Sequence, residues 1–143
     1  MLTPVELFYI AIGLGSIAAI FYANAALYRG GKVSALEACY YAAALVALLV
    51  GWYFNFQYFR QYGPEAGWLH WTQLLFVNPA SASGGQDLII ANMILFPLWT
   101  IYDGRRIGMK APWMYFPMSL LTSYAFAFAL YLAIRERHTS RGR

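Results

Sequence analysis

The chain contains 143 residues, of which 61% are hydrophobic and only 11% are charged. Soluble domains carry roughly 25% charged residues, so this composition excludes an ordinary soluble domain and indicates an integral membrane protein. The net charge of +4 does not indicate nucleic-acid binding, because the basic residues lie singly or in pairs near the ends of apolar segments. Basic residues in that position anchor membrane helices.

Four uncharged runs, at 7–28, 38–59, 88–102 and 111–134, predict an all-α integral membrane fold with four transmembrane helices, forming a single domain over residues 1–143. A spanning helix needs about 20 predominantly apolar residues. The predicted spans are 7–28, 38–59, 84–102 and 112–134, and a basic tail follows at 135–143. An even number of spans places both termini on one side of the membrane.

Small residues recur every four positions in the first two predicted helices. They are Ala11, Gly15, Ala19 and Ala23 in the first, and Ala43, Ala47 and Gly51 in the second. This spacing lets membrane helices approach closely. We therefore expect helix one to pack against helix two, with a homodimer seam as the alternative.

A short apolar segment lies between the second and third spans. Residues 67–77 are too few to cross a bilayer and are followed by Asn78 and Pro79. Its apolar residues Trp68, Trp71 and Leu75 and its polar residues His70, Thr72 and Gln73 suit a helix that lies in the headgroup region. We predict an interfacial helix there that does not alter the topology.

The third span has polar residues at both ends and inside. Asp87 is a suitable N-cap, and Gly104 suits a helix C-terminus. Pro97 removes one backbone hydrogen bond, and Asn92 adds an amide that lipid cannot satisfy. We expect Asn92 to face the bundle, with Asn55 or the carbonyl freed by Pro97 as its partner.

The fourth span is predicted to be one helix, which Pro117 bends. Its polar residues Ser119, Thr122 and Ser123 can hydrogen-bond their own backbone, so we assign them no functional role.

The orientation is not decided by counting Lys and Arg, because four spans give equal numbers on the two sides. One side has Arg60, Arg135, Arg137, Arg141 and Arg143, and the other has Arg29, Lys32, Arg105, Arg106 and Lys110. The positive charges after the first helix favour an N-terminus outside and short turns in the cytoplasm.

The inventory of reactive side chains is small. His70 and His138 are the two histidines and Cys39 is the one cysteine, which disfavours haem and the usual zinc sites, so no metal and no cofactor are expected. Whether the protein is an enzyme stays open. If it is, Asp87 and His70 are the candidate acid–base residues.

A candidate ligand site lies where the second helix ends and the third begins. Its predicted members are Asn55, Tyr58, His70, Asp87 and Asn92. Aromatic walls with a few polar groups are typical of sites for small apolar molecules. The alternative is that these residues only occupy the membrane interface.

Arg105 and Arg106 follow the third span. They are candidates for holding an anionic headgroup or a partner protein, with snorkelling anchors as the alternative.

The second half of the chain resembles a family of small bacterial and cyanobacterial membrane proteins described as a domain of unknown function. The resemblance rests on GGQDLI, the turn YDGRRIGM followed by Trp113, and the closing LYLAIRER. It implies a four-helix protein without an assigned activity. The order of DL, DGRR and LYLAIR is also similar to the membrane proteins required for neoxanthin synthesis, which implies isomerisation of a carotenoid end group with Asp87 at the matching position.

These observations favour an accessory multi-pass membrane protein in a bacterial inner or photosynthetic membrane. We expect it to pack against a larger membrane complex or to bind a lipid or isoprenoid in the bilayer, and not to bind nucleic acid. The alternatives are an isoprenoid isomerase or cyclase, and a small transporter. The uncharged spans disfavour the transporter.

Overall fold

The computed structural model describes residues 2–140, which form helices and connecting turns without strands. The helices are α1 (Pro4–Ala23), α2 (Ala35–Tyr62), α3 (Trp68–Leu74), α4 (Pro79–Ile90), α5 (Phe96–Arg106), α6 (Tyr115–Leu121) and α7 (Tyr124–Ser140). Short 3-10 turns occupy Ala25–Tyr28, Gly63–Glu65 and Pro112–Met114. The prediction of an all-α fold is confirmed. Within the described residues, α1 and α2 are long and apolar enough to cross a membrane.

Helices α1 and α2 run antiparallel. At one end, Glu6 in the first turn of α1 pairs with Arg60 in the last turn of α2, with 2.7 Å between Oε1 and Nε. At the other end, the hydroxyls of Tyr28 and Tyr41 lie 2.6 Å apart. We call the end with Glu6 and Arg60 the loop end, because it also carries the loop to α3. The opposite end, with segments 24–34 and 107–114, is the turn end.

The helix of the third predicted span is longer than predicted, because α4 begins at Pro79, eight residues before Asp87. Asn78 is its N-cap and accepts a hydrogen bond from the Ser81 amide at 2.9 Å, with Pro79 at the first helical position. The prediction that Asp87 caps the helix is therefore wrong, since an asparagine followed by proline supplies a stronger start upstream. Gly104 does not end the helix either. It lies inside α5, packed so closely on Pro112 that an added Cβ would be 2.5 Å from the proline Cβ.

A π-helical segment at Ala91–Leu95 joins α4 to α5 without interrupting the helix. Pro97 has no amide hydrogen for the carbonyl four residues earlier. Just before it, the Phe96 amide bonds to the Ala91 carbonyl, five residues back. Such a bulge widens the helix locally and turns the side chains around it.

The last apolar segment is a helical hairpin, α6 and α7, instead of one helix. The helix is interrupted at Thr122 and Ser123. The Ser123 hydroxyl accepts a hydrogen bond from the Phe126 amide at 3.1 Å, in the first turn of α7. Helix α6 rises from the turn end, and α7 returns beside α2. The Ser123 hydroxyl donates to the Ala47 carbonyl at 3.3 Å, whereas Arg137 at the far end of α7 pairs with Glu37 near the start of α2.

The hairpin corrects the prediction of a single helix over 112–134. The run of uncharged residues is long enough to span, but the break is set by contacts with α2 that the composition does not reveal. The tip of the hairpin contacts Gly51 and Asn55, which lie about 21 to 27 Å along α2 from Glu37. The segment therefore enters the bundle deeply and returns to the end from which it came.

The hairpin also changes the position of the basic tail. Residues 135–140 are the last turns of α7, and Arg137 is only 7% exposed. The prediction of a solvated tail over 135–143 is wrong for these residues, because two arginines in them form ion pairs. Residues 141–143 lie outside the described residues.

The small residues of α2 pack against the hairpin. A Cβ added at Gly51 would lie 2.9 Å from the Cβ of Ser123, and Ala47 accepts the Ser123 hydroxyl. In α1, Gly13 contacts Trp52 and Thr122, whereas Gly15 has open space around it. The prediction that the two small-residue stripes pack on each other is therefore wrong. Helices α1 and α2 meet through large side chains, such as the rings of Tyr9 and Phe59.

Candidate functional site

Asp103 is the centre of a charged cluster at the turn end. Its carboxylate is fully buried and accepts from Tyr131 Oη at 2.6 Å, from Arg135 Nε at 2.6 Å and Nη2 at 3.2 Å, and from Arg106 Nη2 at 2.9 Å. We call Asp103, Arg106, Tyr131 and Arg135 the Asp103 cluster. It joins α5 to α7.

The surroundings of Asp103 favour the charged form of its carboxylate. Arg135, Tyr131 and Arg106 donate four hydrogen bonds to its two oxygens. Donors that bind the charged form of a carboxylate favour that form. Asp103 is therefore the counterion of Arg135 and Arg106.

A second buried ion pair joins α7 to α2. Glu37 Oε1 accepts from Arg137 Nε, and both side chains are almost fully buried. The Arg137 guanidinium lies 4.7 Å from the centre of the Tyr28 ring and donates to the Leu27 carbonyl at 3.4 Å. This pair and the Asp103 cluster hold the C-terminal half of α7 at the turn end.

The turn between α5 and α6 is tied to the end of α1. The Asn24 side chain donates to the Lys110 carbonyl and accepts from the Lys110 amide, each at 3.3 Å. This reciprocal pair satisfies a backbone donor and acceptor where the chain is not helical. The turn end is therefore joined across α1, α2, α5 and α7.

The hydroxyl of Tyr115 is the exception in this region. The ring packs edge-on against Tyr131 with centroids 5.2 Å apart, and the hydroxyl is buried without a hydrogen-bond partner among residues 2–140. A buried polar atom without a partner costs stability. Tyr115 thus differs from Tyr131, whose hydroxyl bonds to Asp103.

The tip of the hairpin is closed by polar side chains of α2. Trp52 Nε1 donates to the Leu121 carbonyl at 3.5 Å, and Asn55 Nδ2 donates to the Thr122 carbonyl at 3.3 Å. These are the carbonyls that the end of α6 leaves free. Asn55 is one of the predicted ligand residues, but its amide donates to a backbone carbonyl at the break between α6 and α7.

Asn92 faces the bundle, as predicted, but neither predicted partner is the one it has. Its Oδ1 accepts from the Ser119 hydroxyl at 2.8 Å, which joins the π-helical segment to α6. This hydrogen bond is partly buried, and Asn92 is the second residue of the π-helical segment.

Tyr58 and His70 are brought together at the loop end. The Tyr58 hydroxyl lies 3.1 Å from His70 Nδ1 and also bonds to the Gly67 carbonyl and amide, at 3.0 and 2.9 Å. The Tyr62 ring packs edge-on against His70, with centroids 4.6 Å apart. These contacts fix the start of α3 on the end of α2, and α3 confirms a short helix within the predicted range 67–77.

The remaining predicted site residues are Asp87, Arg105 and Arg106, and each lies in a different environment. Asp87 is exposed, and its carboxylate bonds to the side chain of the adjacent Gln86. Arg106 belongs to the Asp103 cluster, whereas Arg105 is exposed. The predicted ligand residues therefore divide between the hairpin tip, the π-helical segment, the loop end and the surface. Among residues 2–140, no three His, Cys, Asp or Glu side chains are grouped so that they could hold a metal ion.

Sequence reasoning missed the charged residues that matter most for the architecture. The sequence pattern places Asp103 in a turn and Arg135 and Arg137 in a tail, and it indicates no role for Glu37. The sequence does contain a signal. Only six of its residues are acidic, and two of them, Glu37 and Asp103, adjoin apolar segments. Acids adjoining apolar segments in such a chain are expected to need cationic partners.

The fold defines a class: an all-helical protein with two helices long and apolar enough to cross a membrane, and a helical hairpin tied to them by buried ion pairs. Residues 39–137, more than half of the chain, match the family model described as protein of unknown function DUF2834. The chain belongs to this family, which confirms the resemblance to an uncharacterised family. No curated protein and no solved structure matches it. The Asp103 cluster, α6 and α7 up to Arg137 lie within the matched segment, and α1 and Glu37 precede it.

Proposed function

We propose that this protein is a multi-pass membrane protein with three spanning helices and a re-entrant hairpin. The spans are α1, α2 and the continuous helix formed by α4, the π-helical segment and α5. Glu37 and Arg60 mark the two ends of α2 and lie about 35 Å apart along it, close to the roughly 30 Å thickness of the hydrocarbon layer. Large apolar side chains between these ends point outward, for example Leu45, Leu49 and Phe54.

The charges support an orientation with the turn end in the cytoplasm. Arg60 lies at the loop end, and the other described Lys and Arg residues lie at the turn end: Arg29, Lys32, Arg105, Arg106, Lys110, Arg135 and Arg137. Short cytoplasmic segments carry the excess of Lys and Arg. This arrangement gives an N-terminus outside and a C-terminal helix that ends inside. The numbers of Lys and Arg on the two sides, which are equal for four spans, are then unequal.

Within the membrane, the function that the geometry supports best is that of a non-enzymatic accessory protein. It would pack against a larger membrane complex or hold a lipid or isoprenoid. One observation carries this proposal: the buried acids Asp103 and Glu37 are each paired with an arginine of α7. A buried carboxylate that is bound by a guanidinium joins helices and is not available to a substrate.

The two alternatives have less support. An isomerase acting through Asp87 and His70 needs both side chains at one substrate, but Asp87 is exposed beside Gln86 and His70 is held by Tyr58 and Tyr62. A transporter commonly has broken helices that open onto a binding site. Here the broken ends of the hairpin are covered by Trp52 and Asn55.

The experiment compares binding with turnover. Membranes containing the protein are incubated with a mixture of carotenoids and other isoprenoids, and bound and free compounds are identified by mass spectrometry after mild extraction. We expect compounds recovered with the protein to be chemically unchanged, and the Asp87→Asn/His70→Gln variant to retain them. A changed end group that appears with the wild type and not with this variant would establish the isomerase instead.

A further inference from the structure

The outer face of α5 carries an apolar groove that ends at two arginines. Two adjoining open grooves are lined by Leu95, Leu98, Trp99 and Tyr102, and by Pro97, Leu98, Ile101, Tyr102, Arg105 and Arg106. Leu98 and Tyr102 belong to both and are 65% and 70% exposed. The combined surface therefore faces away from the bundle, and its polar end lies at the turn end.

The positive charge at this end is not neutralised on the outer face. Arg105 forms no ion pair within residues 2–140 and is exposed. Arg106 donates one bond to Asp103, yet its side chain is 61% exposed. Asp103 itself is turned inward and has Arg135 and Tyr131 as further donors. An anion on the outer face would meet two guanidinium groups and no facing carboxylate from α5.

We propose that this groove binds an anionic phospholipid of the cytoplasmic leaflet, with the phosphate on Arg105 and Arg106 and an acyl chain along Leu98 toward Leu95. This rests on the proposed orientation in the membrane. Guanidinium groups bind phosphate through directed, charge-assisted hydrogen bonds, and anionic lipids are concentrated in the cytoplasmic leaflet.

The length of the groove fits one leaflet. Leu95 and Arg106 are eleven positions apart, which is about 16 Å along a helix. Half of the hydrocarbon layer is about 15 Å thick. An acyl chain that starts at the arginines would thus reach the π-helical segment near the middle of the bilayer. Tyr102, next to the arginines, would lie at the headgroup level, where tyrosine is enriched.

The test measures lipid preference by native mass spectrometry of the full chain in micelles. Phosphatidylglycerol and phosphatidylcholine with identical acyl chains are added in equal amounts. We expect the wild type to retain phosphatidylglycerol preferentially. The preference should fall about fivefold in Arg105→Gln and further in Arg105→Gln/Arg106→Gln, because each arginine near an anionic surface contributes a factor of about that size.

Matched variants separate the groove from general surface charge. Lys32→Gln removes one positive charge from an exposed position at the same end and should leave the preference unchanged. Leu98→Ala should reduce retention of phosphatidylglycerol, whereas Leu49→Ala, at a leucine of α2 that is 60% exposed, should not. Circular dichroism establishes that each variant is folded.

Three results would overturn the lipid site: equal retention of the two lipids by the wild type, an equal loss of preference in Lys32→Gln, or displacement of the lipid by soluble glycerol phosphate alone. The last result would mean that the arginines bind an anion without the groove. Failure of the membrane proposal is a separate outcome, since a protein that is folded in buffer without micelles would contradict it before any lipid is added.

Discussion

Asp103 is a buried charged residue, and its hydrogen-bond partners offset the free-energy cost of burying it. Removing two ions from water costs several kcal/mol each, so the carboxylate needs the hydrogen bonds from Arg135, Tyr131 and Arg106. The donors come from α5 and α7, which is why the same contacts that satisfy the charge also fix the hairpin. At the scale of single residues, polar side chains here hold helices together.

The buried ion pairs of Asp103 predict a dependence of stability on pH. Acid that protonates the carboxylate removes the charge that Arg135 and Arg106 bind, so the stabilisation by these pairs is lost at low pH. We expect Asp103→Asn to unfold more easily by about 3 kcal/mol at pH 7, because a buried pair is broken. The difference from the wild type should shrink in acid. Thermal unfolding in detergent, followed by circular dichroism between pH 7 and 2, measures both effects.

Asp87→Asn is the control for this experiment, since it makes the same chemical change at an exposed position of the preceding helix. It should alter stability by less than about 0.5 kcal/mol. Equal losses in the two variants, or an unchanged pH profile in Asp103→Asn, would contradict the assignment of Asp103 as a buried counterion.

Two neighbouring tyrosines provide a second comparison of single residues. Tyr131→Phe removes the hydroxyl that donates to Asp103 and should cost about 1.5 to 3 kcal/mol, as for hydrogen bonds to charged groups. Tyr115→Phe removes a buried hydroxyl without a described partner, so we expect no loss and a gain of up to about 1 kcal/mol. Thermal unfolding of both variants in one detergent decides, and a loss in Tyr115→Phe as large as that in Tyr131→Phe would show that its hydroxyl is satisfied.

Among the helical elements, the hairpin depends on a close approach to α2. Gly51→Ala would place a Cβ 2.9 Å from the Ser123 Cβ, so the tip has to move, and we expect a loss of about 1 to 3 kcal/mol. Gly15→Ala is the matched variant in α1, where the added Cβ meets nothing within 4 Å. It should be neutral or stabilising by up to about 1 kcal/mol, because alanine favours a helix over glycine. Opposite signs in thermal unfolding support the packing; equal effects would contradict it.

The helices show which features of the fold the sequence could predict and which it could not. Long uncharged runs locate helices because apolar segments of that length are helical in membranes. The same runs do not reveal a reversal, since the break at Thr122 and Ser123 depends on Trp52 and Asn55, which are remote in sequence. The start at Asn78 was readable from the residue pair Asn78–Pro79. The convergence of Asp87 with Tyr58 and His70 stays a prediction, since Tyr58 and His70 are hydrogen-bonded whereas Asp87 bonds to the adjacent Gln86.

At the scale of the whole molecule, the hairpin decides the distribution of charge. A fourth span would carry Arg135 and Arg137 to the loop end, whereas the hairpin returns them to the end that holds Asp103 and Glu37. The ion pairs and the asymmetry of Lys and Arg therefore have one common cause. A lipid site at Arg105 and Arg106 belongs to the same charged end.

The most direct measurement is the side of the membrane on which the C-terminal helix ends. Single cysteines at Lys32, Glu65 and Ser140, in a Cys39→Ala background, are labelled with an impermeant thiol reagent in intact and in permeabilised cells. Three spans and a re-entrant hairpin predict that Ser140→Cys behaves like Lys32→Cys, protected in intact cells and reactive after permeabilisation, while Glu65→Cys is labelled in both. Labelling of Ser140→Cys together with Glu65→Cys, and not with Lys32→Cys, would restore four spans and contradict the hairpin.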